Sequence, residues 1–245
     1  MNVYLCGQKA FGAAVYRLCR ELGHDIAGVS SPARNNAGDG PDGLFDVASL
    51  FGTPWLKAGG LRGDLLPANV DLIVAAHSHD FVGSATRRRA RYGAIGYHPS
   101  LLPRHRGRDA VRWAIKMGDP VTGGTVYWLD GVMDGGPIAA QDWRWILPGD
   151  TAPGLWRREL FPLGLDLFRA VLSDVPGYFG RRVPQNGALA TFEPACNPPR
   201  RYRPDLLMLP PPVIPGGAGY PWKTEHGWTG LQRLTDLGLT PRLEP

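Results

Sequence analysis

Ala94-Ile95-Gly96-Tyr97-His98-Pro99-Ser100-Leu101-Leu102-Pro103-Arg104-His105-Arg106-Gly107 opens as a short apolar run and passes into a turn stiffened by two prolines. Each proline fixes φ and removes a backbone donor, so no regular ladder continues through it. Asp109 to Met117 then repeats apolar positions at helical spacing. A strand, a rigid turn carrying a histidine and a helix is the arrangement expected at one edge of an α/β sheet.

Working toward the N-terminus, Val70 to Ala76 is almost continuously apolar, as a strand covered on both faces requires. Asn2 to Cys6 and Asp25 to Ser30 read as two more strands, with a helix over 10–22 between them that Gly23 stops. A glycine- and asparagine-rich loop fills 31–43. Leu44 to Phe51 reads as a short helix, Thr53 to Leu56 as an extended piece and Phe81 to Arg91 as a helix. Toward the C-terminus, Gly124 to Leu129 and Ile138 to Trp145 have the composition of strands. Thr151 is placed to cap a helix running from Ala152 to Leu172. Strands alternating with helices predict a doubly wound, mainly parallel α/β sheet, whose ligands bind beyond the carboxyl ends of the strands.

Past Val175 the composition changes. Prolines and glycines crowd 176–221, which predicts a wrapping or mobile tail, with one last short helix between Trp222 and Leu239. The domain reading is a catalytic unit over 1–190 and a Pro/Gly-rich C-terminal extension over 191–245.

The totals exclude several classes. Of 245 residues, 43% are hydrophobic and 20% charged, as in ordinary globular proteins. No apolar run approaches the ~18 residues of a membrane span. The first residues show neither a basic start nor a long apolar core, so no secretory signal is expected. Three cysteines make neither a disulfide framework nor a metal knuckle, which fits a reducing cytoplasm. The net charge of +5 is concentrated in Arg87-Arg88-Arg89-Ala90-Arg91 and Arg200-Arg201-Tyr202-Arg203. With no finger or helix-turn-helix pattern, these runs read as solvated faces rather than a nucleic-acid surface, and an anionic small substrate would use the same field. Gly7 to Gly12 follows the first strand but lacks the spacing of a dinucleotide or phosphate loop, so neither NAD nor ATP is expected.

His98 differs from the chain's five other histidines in its proline-locked setting at a strand end. A second polar turn, Asp130-Gly131-Val132-Met133-Asp134-Gly135-Gly136-Pro137, lies further along, and its glycines let backbone approach a ligand. An imidazole and a carboxylate on two rigid turns can pass a proton between them.

The stretch from Tyr97 to Gly107 resembles the signature of the folate-dependent formyltransferase superfamily. That group includes methionyl-tRNA formyltransferase, glycinamide ribonucleotide formyltransferase and the hydrolase domain of 10-formyltetrahydrofolate dehydrogenase. Asp134-Gly135-Gly136 resembles the family's second motif. The likeness is greatest to the hydrolase domain, through Gly7-Gln8, Phe11-Gly12, Val15-Tyr16, Leu160-Phe161-Pro162, Gly164 and Pro184-Gln185, and it spans about residues 1–190.

The resemblance implies a Rossmann-like formyltransferase fold. It also implies 10-formyltetrahydrofolate as co-substrate, a small amine as acceptor, no metal, and catalysis by His98 and Asp134. It assigns folate binding to His77, Ser78, His79, Asp80, Phe81 and Val82, with Leu102, Asp130 and Gly131; Leu102, with Leu101 and Trp113, is there for packing rather than chemistry. His77 and His79 lack the third ligand of a zinc site. Arg104, Arg106, Arg108 and Arg112 are candidates for an anionic acceptor or the folate tail.

One position departs from the pattern. Most transferases of the family carry an asparagine two residues before the histidine to hold the oxyanion; here it is Gly96, as the hydrolase domain also lacks asparagine. Losing one such donor costs ~10²–10³ in rate. Three readings therefore stand: transfer to an amine, hydrolysis to formate, and folate binding without turnover. Transfer to methionyl-tRNA ranks lower, because that enzyme's β-rich C-terminal domain has no counterpart of its length here.

Overall fold

The computed structural model describes residues 1–34, 40–78 and 80–196, with the backbone of 223–224 and 227–228. Seven strands form one sheet: β1 (Asn2–Gly7), β2 (Asp25–Ser31), β3 (Trp55–Lys57), β4 (Leu72–Ala76), β5 (Ala94–His98), β6 (Val121–Trp128) and β7 (Ile138–Trp145). Their spatial order is β3-β2-β1-β4-β5-β6-β7. The first five pair in parallel, while β6 and β7 join antiparallel at one side. The doubly wound, mainly parallel α/β sheet expected from the sequence is therefore present.

Alternation along the strands divides the core in two. Val3, Leu5, Leu72, Val74 and Ile95 face one cluster, built with helices α1 (Lys9–Glu21) and α6 (Phe161–Ser173). Tyr4, Cys6, Ile73 and Ala94 face the other, with Leu61, Leu66, Val82 and Ala90. Both faces of the central strands are thus covered, which is why those segments carry near-continuous apolar runs. The larger cluster centres on Phe11, whose ring lies 5.2–6.2 Å from those of Tyr97, Trp156, Phe161 and Phe168. Asp42 ties two helix starts together. Its side chain accepts from Leu44 N at the start of α2 (Gly43–Leu50) and from Lys9 N at the start of α1.

Two expected helices differ, and a further one was not expected. The segment 81–91 is helical only at α3 (Ser84–Arg87). Further on, the Arg91 and Tyr92 amides donate to Val70 and Asp71 carbonyls at the entry to β4, so sheet-edge bonds displace helical ones. The helix drawn over 152–172 is three pieces: α5 (Ala152–Leu155), a π turn over Trp156–Leu160, and α6. Pro162 cannot donate to a carbonyl one turn back, which interrupts the regular ladder there, and the Leu160 carbonyl accepts the Tyr97 hydroxyl at 2.7 Å. Composition also hid α7 (Val175–Gly180): Pro176 sits in its first turn, where the missing N–H costs nothing, and Asp174 caps Gly177 N at 3.0 Å. Between β5 and β6, α4 (Ala110–Lys116) follows the histidine turn as expected.

The chain divides into two units, Met1–Tyr202 and Arg203–Pro245. In the second, Lys223–Thr224 pairs antiparallel with Gly227–Trp228, at the start of the stretch expected to hold a short helix. Threonine and tryptophan favour that conformation. The rest of 222–239, where a short helix was expected, most of the extension and Arg200 to Arg203 lie outside the described residues. Among the described residues no helix is long and apolar enough to cross a membrane.

Candidate active site

His98 is the last residue of β5, so it stands at the carboxyl end of the parallel strands. Its Nε2 lies 2.6 Å from the His105 carbonyl oxygen across the proline turn. A carbonyl only accepts, so Nε2 carries the hydrogen and Nδ1 is left to face outward. Nδ1 lies 3.6 Å from Asp134 Oδ2, with the two side chains 9% and 15% exposed. The two turns that sequence reading singled out are brought together. At 3.6 Å the pair is within ion-pair range but beyond a direct hydrogen bond, a spacing that substrate or one water can close.

The carboxylate is held from both sides. Oδ2 accepts the Gly107 amide at 2.7 Å and Oδ1 accepts the Tyr127 hydroxyl at 2.6 Å. Asp134 itself has φ of 50°, and the turn is packed so closely that a Cβ on Gly136 would lie 1.8 Å from the Trp128 carbonyl oxygen. Gln185 bridges the two motifs. Its amide nitrogen donates to the Asp134 and Gly136 carbonyls at 2.8 and 2.7 Å, and its oxygen accepts Arg106 at 2.8 Å.

Behind His98, His105 is buried between two carboxylates, Asp119 Oδ2 at 2.8 Å from Nε2 and Glu193 Oε2 at 3.1 Å from Nδ1. Burial by itself would depress its pKa, but hydrogen bonds to Asp119 and Glu193 outweigh that and raise it above the usual 6.5. Burial likewise works against Asp119 and Glu193 as anions, yet both are held below their usual values, chiefly by the hydrogen bond from His105. Glu193 belongs to a strap that crosses the turn. Thr191 Oγ1 accepts His105 N at 2.8 Å, the Thr191 carbonyl accepts Arg106 N, and the Pro194 carbonyl accepts Trp113 Nε1 at 2.7 Å. Residues 191–196, which composition set in the extension, therefore wrap the histidine turn.

The remaining expected positions fall into three groups. Leu102 is buried, its amide donating to Thr125 Oγ1 and its carbonyl accepting Gln141, so it is scaffold beside the site. In the loop after β4, Asp80 braces its neighbours: its carboxylate accepts Ser30 Oγ at 2.7 Å and the Gly59 amide, while Ser78 Oγ accepts Asp80 N. Val82 is core, whereas Phe81 is 86% exposed and His77, at φ of 60°, has its ring 6.0 Å from Trp156. His79 lies outside the described residues. Asp130 caps Val132 N at 2.8 Å in the exposed start of the Asp134 turn, and the space where a Gly131 side chain would sit is open.

Of the four arginines, Arg104 pairs with Asp119 at 2.6 Å and Arg106 is engaged by Gln185. Arg112 lies 3.6 Å from Asp109, and Arg108 is exposed. Among the described residues no group of three or more His, Cys, Asp or Glu side chains could hold a metal ion. Sequence reading missed Tyr127 and gave Gln185 and Glu193 no role. Tyr127 becomes visible only from the β5–β6 register, which pairs it with Gly96.

Residues 57–162, from β3 through the site to the start of α6, match the formyl transferase family model. The chain is 35% identical over 205 residues to the cytosolic 10-formyltetrahydrofolate dehydrogenase of Mus musculus, covering 79% of this chain and 22% of that protein. It is 30% identical over 174 residues to the methionyl-tRNA formyltransferase of Acidobacterium capsulatum, covering 66% of this chain and 54% of that one. The chain thus spans about a fifth of the first of these relatives. The phosphoribosylglycinamide formyltransferase of Bacillus halodurans shares the fold, with a TM-score of 0.58 at 20% identity over 73% of this chain and 99% of that one. A formyl transferase match that includes His98 and Asp134, on a sheet those enzymes share, makes this chain a member of the formyltransferase superfamily.

Proposed function

We propose that the chain transfers the formyl group of 10-formyltetrahydrofolate from N10 to an amine, with His98 and Asp134 as its catalytic residues. The observation that carries this reading is the approach of His98 Nδ1 to Asp134 Oδ2 at 3.6 Å, with the imidazole pinned by His105 and the carboxylate by Gly107 and Tyr127. Attack of the amine nitrogen on the formyl carbon forms a tetrahedral oxyanion. Imidazolium at His98 stabilises that oxygen, and the carboxylate takes the proton the amine loses. The C–N10 bond then breaks as N10 takes that same proton from Asp134, which returns the carboxylate to its starting state, so atoms and charge balance without an additional reagent. The loop after β4, through His77, Ser78 and Phe81, and the exposed Asp130-Gly131 start of the Asp134 turn are the surfaces we assign to folate.

Hydrolysis is the second reading, with water in place of the amine. It is favoured by Gly96, which lacks the transferases' asparagine, and by the likeness to a 10-formyltetrahydrofolate dehydrogenase. The compartment we propose is a reducing cytoplasm, where Cys6 and Cys19 persist as buried free thiols.

Incubation with 10-formyltetrahydrofolate, with and without a panel of anionic and neutral amines, separates the readings. Donor loss that accelerates with one amine and yields its formamide supports transfer. Formate released at the same rate without any amine supports hydrolysis. Binding of a folate analogue with no turnover in either condition rejects both.

A further inference from the structure

Residues 96 and 98 project to the same face of β5, because alternate strand residues share a face. In the antiparallel pair with β6, Gly96 stands opposite Tyr127 and His98 opposite Thr125. Directly opposed residues share that face as well. A Cβ on Gly96 would lie 3.5 Å from Tyr127 Cε1 and 3.6 Å from its hydroxyl, with Leu129 Cδ2 at 3.2 Å. The phenol therefore lies over position 96, on the face of β5 that His98 shares; a Cβ there would only touch the ring while crowding Leu129. From there its hydroxyl reaches Asp134 Oδ1 at 2.6 Å, while Oδ2 of the same carboxylate accepts Gly107 N and faces His98.

We propose that Tyr127 is a positioning residue of the formyl-transfer site, its hydroxyl aiming the Asp134 carboxylate at His98 from its place over Gly96. The inference rests on the roles given above to His98 and Asp134. With a phenol on one oxygen and a backbone amide on the other, the carboxylate plane cannot turn without breaking a bond. Tyr127 remains a donor throughout. Burial first, then the negative charge of Asp134, pushes its hydroxyl well above the usual range. A branched side chain at 96, whose atoms reach past Cβ, would have to move the ring or Leu129.

The test uses the full chain turning over 10-formyltetrahydrofolate, with Tyr127→Phe, Gly96→Val and the double variant beside His98→Ala and Asp134→Ala. Tyr127→Phe is expected to lower kcat roughly tenfold or more, the worth of one bond to a charged group, with KM for the donor within about twofold. That split between kcat and KM is the readout of positioning, since a purely structural loss would weaken donor binding as well. Gly96→Val lowers kcat by moving the phenol, and adds little in the Tyr127→Phe background. Wild-type kcat in Tyr127→Phe, with Asp134→Ala inactive, overturns the inference and leaves the functional reading standing. Additive losses in the double variant overturn it equally. Undiminished turnover in both His98→Ala and Asp134→Ala rejects the underlying reading itself.

Discussion

The Nε2 atom of His98 lies 2.6 Å from the carbonyl oxygen of His105, so the proline turn orients the imidazole by itself. Asp134 then meets a ring whose outward nitrogen is already fixed as Nδ1. Pre-set geometry of this kind is what a proton-transferring pair needs, because small displacements from productive alignment are costly in rate. The His105 backbone that supplies the carbonyl is itself anchored by its own side chain, held between Asp119 and Glu193.

That anchor makes stability depend on pH in a defined window. His105 is raised above 6.5 in the folded state, so its contribution is complete below that value and fades as pH climbs through the folded pKa. Asp119 and Glu193 are lowered from 3.8 and 4.5, so theirs is present above those values and fades as pH falls through the folded pKas. All three act together between about pH 4.5 and 6.5. Thermal unfolding followed across pH 4–9 is expected to show Tm falling above that window in wild type. In His105→Asn the fall is flattened; identical curves for the two proteins would contradict the assignment.

Gln185 spans the two motifs through four hydrogen bonds. Gln185→Ala is expected to cost about 1–3 kcal/mol of stability by leaving two carbonyls and Arg106 short of a partner. It is also expected to lower kcat more than it raises KM, because the Asp134 turn loosens while the folate surface stays in place. Denaturant unfolding paired with steady-state kinetics reads both effects; unchanged kcat would show that the brace is not needed.

Gly136 packs against the backbone of β6. A methyl group there would collide with the Trp128 carbonyl, so Gly136→Ala must move the Asp134 turn. A loss of about 1–3 kcal/mol is expected, as for other overpacked sites, together with most of the activity. Gly131→Ala, where the space is open, serves as the neutral control for stability. Equal stability in both would contradict the packing argument.

The fold was readable from the sequence where one physical signal dominated. Val70 to Ala76 is apolar throughout because both sheet faces are covered, and β4 lies within it. Boundaries failed where tertiary bonds competed with local periodicity, as at Arg91 and Tyr92, whose amides turn to the sheet. Pro162 marked an interruption that a continuous helical pattern concealed. In the site, His98 and Asp134 stood out because rigid turns leave marks in sequence: prolines at 99 and 103, glycines at 135 and 136. Tyr127 left no such mark. In sequence it is one aromatic residue in an ordinary strand, and its place over Gly96 follows from a pairing register that local composition does not encode. The same holds for Glu193, remote in sequence yet seated against His105.

The most direct test of the paired roles of His98 and Asp134 is a double-mutant cycle in kcat, measured with 10-formyltetrahydrofolate as donor. Each of His98→Ala and Asp134→Ala is predicted to lower kcat by ~10²–10⁴, the range for loss of a positioned acid–base group. The double variant is predicted to be no slower than the slower single one, because the two act as a unit. Single variants that turn over the donor at the wild-type rate, or losses that multiply in the double variant, would contradict the account.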